Sequence, residues 1–322
     1  MTGATGFVGS HLLDALGAAD RPVRVLVRPT SDARHCRALG AQVVVADPTD
    51  RAAIAGALRD VSVVFHLAAA TRARDEVEYE AANVEYTRAL MDEARASQLR
   101  PRVVYLSSLA AVGPTAHGEP VDEEATPRPI TAYGRTKLEG EHVALGTEGV
   151  AAVALRPPTV YGPRDRDLFA FFRMASLGIM PVPAGPDRPV QLLHVRDLVD
   201  ALLAAGSSTT SGRVYHVAEP VVRPWSAVVG MIAQALGREP WSVPVPRSAL
   251  WLAALATETT ARLTGRATIF SRDKVRELLA AGWLCTTERA ERELGFRARI
   301  PLERGIVETA QWYRTEGWLS AR

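Results

Sequence analysis

Met1-Thr2-Gly3-Ala4-Thr5-Gly6-Phe7-Val8-Gly9-Ser10-His11-Leu12 opens the chain and decides how the rest is read. Three glycines spaced by three lead into Val8, Leu12, Leu13 and Leu16, an apolar set with helical spacing that begins between the second glycine and the third. A glycine turn that opens a helix presents unpaired backbone N–H groups and the positive end of the helix dipole to an anion. Gly3 suits the tight turn, Gly6 the close approach of a pyrophosphate, and Gly9 close packing of helix against sheet. Thr5, Phe7 and Val8 complete the predicted cradle. Such a turn follows a buried strand, central in the sheet, yet only Met1 and Thr2 stand before Gly3. The first strand is therefore expected to be missing or truncated, with the start of the chain assigned late.

Downstream, strand-like runs alternate with helical patterns. Pro22–Arg28, Gln42–Ala46, Val61–Leu67, Arg102–Ser107 and Val150–Leu155 are almost continuously apolar. Helices are expected over 32–39, 50–59, 78–98 and 131–147. Buried parallel strands covered on both faces read this way. The fold class is α/β, a Rossmann-type doubly wound parallel sheet with a smaller, mostly helical C-terminal substrate lobe. From Pro157 the rhythm breaks in a Pro-, Gly- and Arg-rich stretch. It resumes with Gln191–Val195, a helix from Asp197, and a strand Arg213–Val217 expected at the sheet edge. Residues 1–157 and 191–218 are assigned to the nucleotide-binding domain, 158–190 and 219–322 to the substrate lobe. All six tryptophans fall after residue 224. They are read as core and interface anchors, one or two of them as lining an apolar substrate pocket.

Composition excludes several classes. A chain 47% hydrophobic and 23% charged is not disordered, and a net charge of +2 gives no nucleic-acid or membrane surface. Cys36 and Cys285 fit no CxxC pattern, so a reducing, cytoplasmic setting is expected. The longest apolar run, 249–256, is far short of a bilayer span. The seven histidines show no metal-ligand spacing, and no metal is expected.

The chemistry concentrates at strand ends. Arg28 closes the second strand, where an acidic residue would suit the ribose of NAD and an arginine the 2′-phosphate of NADP. NADP is expected, with NAD as the alternative, and Ser31 and Arg34 stand near enough to help. Asp47, followed by Pro48, is placed to accept the adenine amino group, unless it caps the next helix, which Asp50 would do equally well. Leu67, Ala68 and Ala69 end the next strand with side chains small enough for a flat cofactor. His66 beside them reads as a packed histidine. Ser107-Ser108 ends a strand, and Tyr133 and Lys137 lie four apart on a predicted helix, on one face. A phenol titrating near 10 is a poor base at neutral pH; a nearby lysine cation favours its phenolate. Ser108 can donate to a substrate oxygen that gains alkoxide charge.

In order, T2-G-A-T-G-F-V-G9, H66-L-A-A69, S107-S108 with Gly113 beyond, Y133-G-R-T-K137, R156-P-P-T-V-Y-G-P163 and H194-V-R-D197 resemble an extended short-chain dehydrogenase/reductase. This is the NAD-dependent epimerase/dehydratase superfamily, and E293-L-G-F296, Q311-W-Y313 and G317-W-L319 resemble its C-terminal lobe. The resemblance implies Tyr133 as general acid/base, Lys137 as the ribose-holding partner, and Ser108 positioning the carbonyl. It places Pro157 and Val160 beside the nicotinamide, makes Asn83 structural support, and implies a homodimer through the helices around 78–98 and 131–147. Ser107-Ser108-Leu109-Ala110 lacks the carboxylates of the 4,6-dehydratases. Thr159 and Val190 replace the Asn and Arg of nucleotide-sugar epimerases, although Arg164, Arg166 and Arg188 can substitute. The chain looks nearest the 3β-hydroxysteroid dehydrogenase and dihydroflavonol reductase branches, with a small, apolar ketone, aldehyde or secondary alcohol as substrate. A nucleotide-sugar epimerase with bound NAD and a catalytically silent NADP-binding sensor or scaffold remain the alternatives.

Overall fold

Short runs of β-branched residues make the strands, and the amphipathic segments between them cover both sheet faces. The computed structural model describes residues 1–115, 118–264 and 270–319, without the side chains of 262–264. The first half runs α1 (Phe7–Ala18), β1 (Arg24–Val27), α2 (Arg34–Ala38), β2 (Gln42–Val45), α3 (Arg51–Ala57) and β3 (Val63–His66). It continues with α4 (Glu76–Glu80), a π-helical turn (Ala81–Glu85), α5 (Tyr86–Ala96), β4 (Arg102–Leu106), α6 (Ala132–Gly146) and β5 (Ala152–Arg156). Then come β6 (Thr159–Tyr161), α7 (Phe169–Ser176), β7 (Ile179–Pro183), β8 (Pro189–Val190), β9 (Leu192–His194), α8 (Val195–Ser207) and β10 (Arg213–His216). The remainder is β11 (Arg223–Pro224), α9 (Trp225–Leu236), β12 (Trp241–Val245), α10 (Arg247–Thr264), α11 (Arg272–Leu279), α12 (Glu288–Leu294) and α13 (Leu302–Thr315).

The main sheet is parallel throughout. β2 pairs with β1, and β3, β4, β5 and β10 follow one another, with β10 at the edge as expected. The slot between β1 and β3 is held by Met1 and Thr2. Thr2 bridges Leu26 on one side and His66 on the other. Its N–H donates to the Phe65 carbonyl at 3.0 Å, and the Leu26 N–H donates to the Met1 carbonyl at 3.0 Å. Met1 and Thr2 thus join β1 to β3 across this position.

Alternation along β4 shows how both faces are buried: Val103 and Tyr105 join one core layer, Val104 the other. The first layer packs Ile54, Leu90 and Met91 under α3 and α5; the second packs Leu12, Leu198 and Leu202 under α1 and α8. Each fully buried leucine is worth roughly 1.5–3 kcal/mol. A third core, built on Tyr161, Phe172, Met180, Val228, Ile306 and Tyr313, unites α7, α9 and α13 around β6 and β7.

Two expectations change. The helix read over 78–98 is broken by the π turn at Ala81–Glu85. There Asn83 turns its amide to the loop after β3 and to α6, and local propensity yields to that cross-element bonding. The tryptophans also divide. Trp225, Trp312, Trp318 and Trp283 pack against apolar clusters, but Trp241 is 77% exposed and Trp251 lies at the surface. No described helix is long and apolar enough to cross a membrane.

Candidate active site

Gly3 takes a left-handed φ of +70°, and a Cβ there would lie 2.7 Å from the Leu67 and Ala68 backbone. The turn therefore sits directly against the end of β3, and only glycine fits. Gly6 closes it, its N–H donating to the Gly3 carbonyl at 3.0 Å. Gly9 serves a different end from the one expected. A Cβ on it would meet the Gly3 carbonyl at 2.0 Å, so it makes room for the turn itself rather than for the sheet. Gly6 is the N-cap of α1 and supplies no side-chain acceptor, which leaves first-turn N–H groups near Phe7 and Val8 open. Thr5 and Gly6 are exposed at this mouth. A turn with no room for side chains, beside an uncapped helix start, fits a dinucleotide pyrophosphate.

Thr2, passed over in the sequence, ties the cradle to β3. Its Oγ1 accepts the Ala68 N–H at 3.1 Å and pairs with His66 Nδ1 at 2.7 Å. The other ring nitrogen of His66 meets Thr87 Oγ1 at 3.0 Å, so His66 is a satisfied core residue. Burial lowers its pKa to about 3. Leu67 and Ala68 are half-buried and Ala69 exposed along the floor. Asn83 fixes the next step, accepting the Ala70 N–H at 2.8 Å and donating to Thr136 Oγ1 at 3.0 Å.

At the adenosine end, Arg28 stands exposed after β1 and makes no ion pair among the described residues. Arg34 does not share its freedom. Its guanidinium is forked onto Asp32, with the closest approach 2.6 Å, and a committed fork is a poor helper for phosphate. The Ser31 N–H donates to the Arg28 carbonyl at 3.0 Å, folding that loop back. Asp47 Oδ1 receives the Thr49 N–H and hydroxyl at 2.9 and 2.7 Å, while Asp50 caps α3. The cap role thus goes to Asp50, and Asp47, with Pro48 half-buried beside it, keeps a second carboxylate oxygen free.

Ser108, Tyr133 and Lys137 meet at the C-terminal end of β4. Thr131 caps α6 by accepting the Gly134 N–H at 3.1 Å, which starts the helix one residue before Tyr133. The Ser108 hydroxyl lies near the Tyr133 hydroxyl and favours its phenolate. Burial pushes the phenol up to about 12, the nearby Ser108 hydroxyl pulls it back, and the Glu277 carboxylate adds to the rise. Lys137 is buried at 1% exposure. Its Nζ donates to the Leu106 carbonyl at 2.7 Å and lies 4.1 Å from the Tyr105 ring centre. Burial lowers it to about 7, with Glu141 drawing it back upward. An ammonium has three donors, so two remain. The expected acidification of Tyr133 by Lys137 is therefore not what governs the phenol here; desolvation outweighs it. Ser107, next to Ser108, is buried with its hydroxyl unpartnered.

Pro157 accepts the Leu109 N–H at 2.8 Å, bracing the segment after Ser108, and Val160 is half-buried in β6. Of the three arginines able to meet a diphosphate, Arg164 is tied to Ser10 and Asp14 at 3.1 and 2.7 Å. Arg166 lies over Trp318, 5.6 Å from the ring centre, and Arg188 makes no ion pair among the described residues. Among the described residues no group of His, Cys, Asp and Glu is placed to hold a metal.

Residues 1–218 match the family model for the NAD dependent epimerase/dehydratase family. The "Ceramide reductase" of Caulobacter vibrioides is 29% identical over 99% of this chain and 95% of its own. "Sterol demethylase protein B" of Methylococcus capsulatus is 31% identical over 99% of each chain. The solved structure of MoeE5 in complex with UDP-glucose and NAD superposes with a TM-score of 0.76 at 26% identity, covering 98% of both chains.

Proposed function

The chain belongs to the NAD dependent epimerase/dehydratase family, and from that premise we propose that it is an NADP(H)-dependent reductase or dehydrogenase of an apolar, lipid-like ketone or secondary alcohol. It is an NAD(P)-dependent enzyme of this superfamily; the choice of NADP, the substrate class and the residue roles are the proposal. One observation carries it: Lys137, one helical turn from Tyr133, is buried with its Nζ on the Leu106 carbonyl at the end of β4, where the Ser108 hydroxyl lies near the Tyr133 hydroxyl. Bound nicotinamide supplies or takes up the hydride. Tyr133 passes the proton to or from the substrate oxygen, and Ser108 donates to that oxygen as its charge grows. Lys137, with two donors to spare, holds the nicotinamide ribose. A cofactor's positive charge and ribose contacts would offset the desolvation that now holds the phenol near 12.

Ceramide and sterol in the relatives' names favour an apolar substrate. So does the apolar cluster of Leu109, Val112, Cys285 and Trp283 adjoining Ser108. A nucleotide-sugar epimerase is less favoured, because Arg164 and Arg166 are engaged elsewhere and of the three arginines Arg188 alone makes neither an ion pair nor a ring contact among the described residues. The test uses the full chain with NADPH, and progesterone and a long-chain methyl ketone as probes. Tyr133→Phe should lower turnover by roughly 10²–10⁴-fold while NADPH still binds. Near-normal turnover in that variant would remove Tyr133 from the reaction. Turnover of UDP-glucose with tightly retained NAD and no net nicotinamide change would favour the epimerase instead.

A further inference from the structure

The helix that carries Tyr133 is not capped by its own neighbours alone. Thr131 serves the Gly134 N–H, and its carbonyl receives the Arg135 N–H at 3.0 Å. The Ala132 N–H belongs to the first turn and has no acceptor within the helix. It donates instead to Asp273 Oδ2 at 2.8 Å, from α11, 141 positions along the chain. Asp273 is itself fixed, since its other oxygen pairs with Arg276. The start of α11 is held by Ser271, whose hydroxyl accepts the Lys274 N–H at 3.2 Å. Glu277 lies one turn beyond Asp273, with its charge felt by Tyr133 and by the neighbouring Tyr79, whose ring centre is 6.3 Å from that of Tyr133. The Trp283 indole pins that turn by donating to the Glu277 carbonyl at 3.1 Å.

We propose that Asp273 is a positioning residue for the reaction, through which the C-terminal lobe sets the seat of Tyr133 against Ser108. This rests on the role proposed for Tyr133 above. The residue after the bound amide is Tyr133 itself, so any fraying of the first turn swings its phenol at the far end of a long, stiff side chain. A carboxylate at this spot bonds the amide with charge assistance and meets the positive end of the α6 dipole. Misplacement of a reacting group by about 1 Å can cost on the order of 10²-fold in rate. Among the described residues Asp273 bonds the Ala132 N–H and Arg276, and it acts through the helix.

Asp273→Ala and Asp273→Asn in the full chain test this by two readouts. The first is amide hydrogen exchange at the start of α6. The second is kcat and KM for the long-chain methyl ketone with NADPH. In Asp273→Ala, exchange should quicken and kcat should fall by roughly 10- to 100-fold, with KM and NADPH affinity little changed. Asp273→Asn, which keeps an oxygen acceptor of the same shape, should restore both. Wild-type exchange and kcat in Asp273→Ala would overturn the assignment. So would an Asn variant as impaired as the Ala variant, or losses of kcat, KM and NADPH binding together. If Tyr133→Phe keeps full activity, the reaction scheme fails, while the exchange result still decides whether α11 holds the helix start.

Discussion

Arg28 is exposed after β1 and makes no ion pair among the described residues, whereas Arg34 is forked onto Asp32. An exposed guanidinium without an internal carboxylate can give its whole fork to a 2′-phosphate. Replacing it by Asp, as in Arg28→Asp, should move the NADP-to-NAD affinity ratio toward NAD by roughly 10- to 100-fold, the worth of one charged hydrogen-bonding pair. Fluorescence titration with both reduced cofactors reads this, and an unchanged ratio would refute the phosphate role. Lys137 makes a second residue-scale statement. Its pKa in the folded protein is about 7, far below that of a free lysine, because burial opposes its charge. The unfolded chain therefore binds the extra proton between about pH 7 and 10, and stability rises with pH across that window. The penalty is present in full below pH 7. Lys137→Met should flatten this rise, a change on the order of a few kcal/mol. Urea unfolding at the two ends of the window measures it; an unaltered slope would assign the burial penalty elsewhere.

At the scale of elements, α6 holds the site together because three neighbours grip it. Asn83 of the π turn bonds Thr136, Asp273 of α11 bonds Ala132, and Glu141 forms a buried ion pair with Arg156 at the end of β5. Arg156 Nε donates to Glu141 Oε2 at 2.9 Å, and both side chains are nearly inaccessible. Breaking such a pair from one side strands a charge, at a cost of about 3–5 kcal/mol. Glu141→Ala should lose that much in equilibrium urea unfolding. A paired Glu141→Leu/Arg156→Leu variant should recover most of it, because no charge is then left buried. If the single variant loses less than about 1 kcal/mol, water reaches Arg156 and the pair is not a brace.

Across the whole molecule, three histidines in different layers share one condition. His66, His194 and His216 are each at most 1% exposed, and burial lowers each to about 3. Below their ordinary pKa near 6.5 the unfolded chain takes up protons that the folded chain refuses, so stability falls as pH drops from 6.5 toward 3. Asp165 works the other way: burial raises it to about 7, and its early protonation favours the folded state as pH falls. Burial also raises Asp197 and Glu219 and lowers His11, so four histidines stand against three carboxyls. Melting temperature should fall steadily from pH 6.5 to 4.5 by calorimetry, and His66→Gln should soften the fall; a flat profile would contradict this. The homodimer implied by the family likeness is likewise a property of the whole chain. Sedimentation should give two chains per particle, with a single-chain particle counting against it.

The sequence by itself determined what depends on spacing along a few residues. The glycine turn before α1, the apolar strand runs, the four-residue step from Tyr133 to Lys137 and the Ser-Ser strand end all follow from local periodicity and steric demand. The Asp32–Arg34 fork was equally local, and its i, i+2 spacing was a signal that could have been read. Tertiary structure alone decided the rest. Two residues, Met1 and Thr2, fill a central strand position only because β1 and β3 bracket them. The seat of α6 depends on Asp273 and Asn83, which approach from 141 and 53 positions away. Whether a buried lysine or tyrosine titrates up or down was set by packing, because desolvation is a property of the surroundings and leaves no mark on the order of residues.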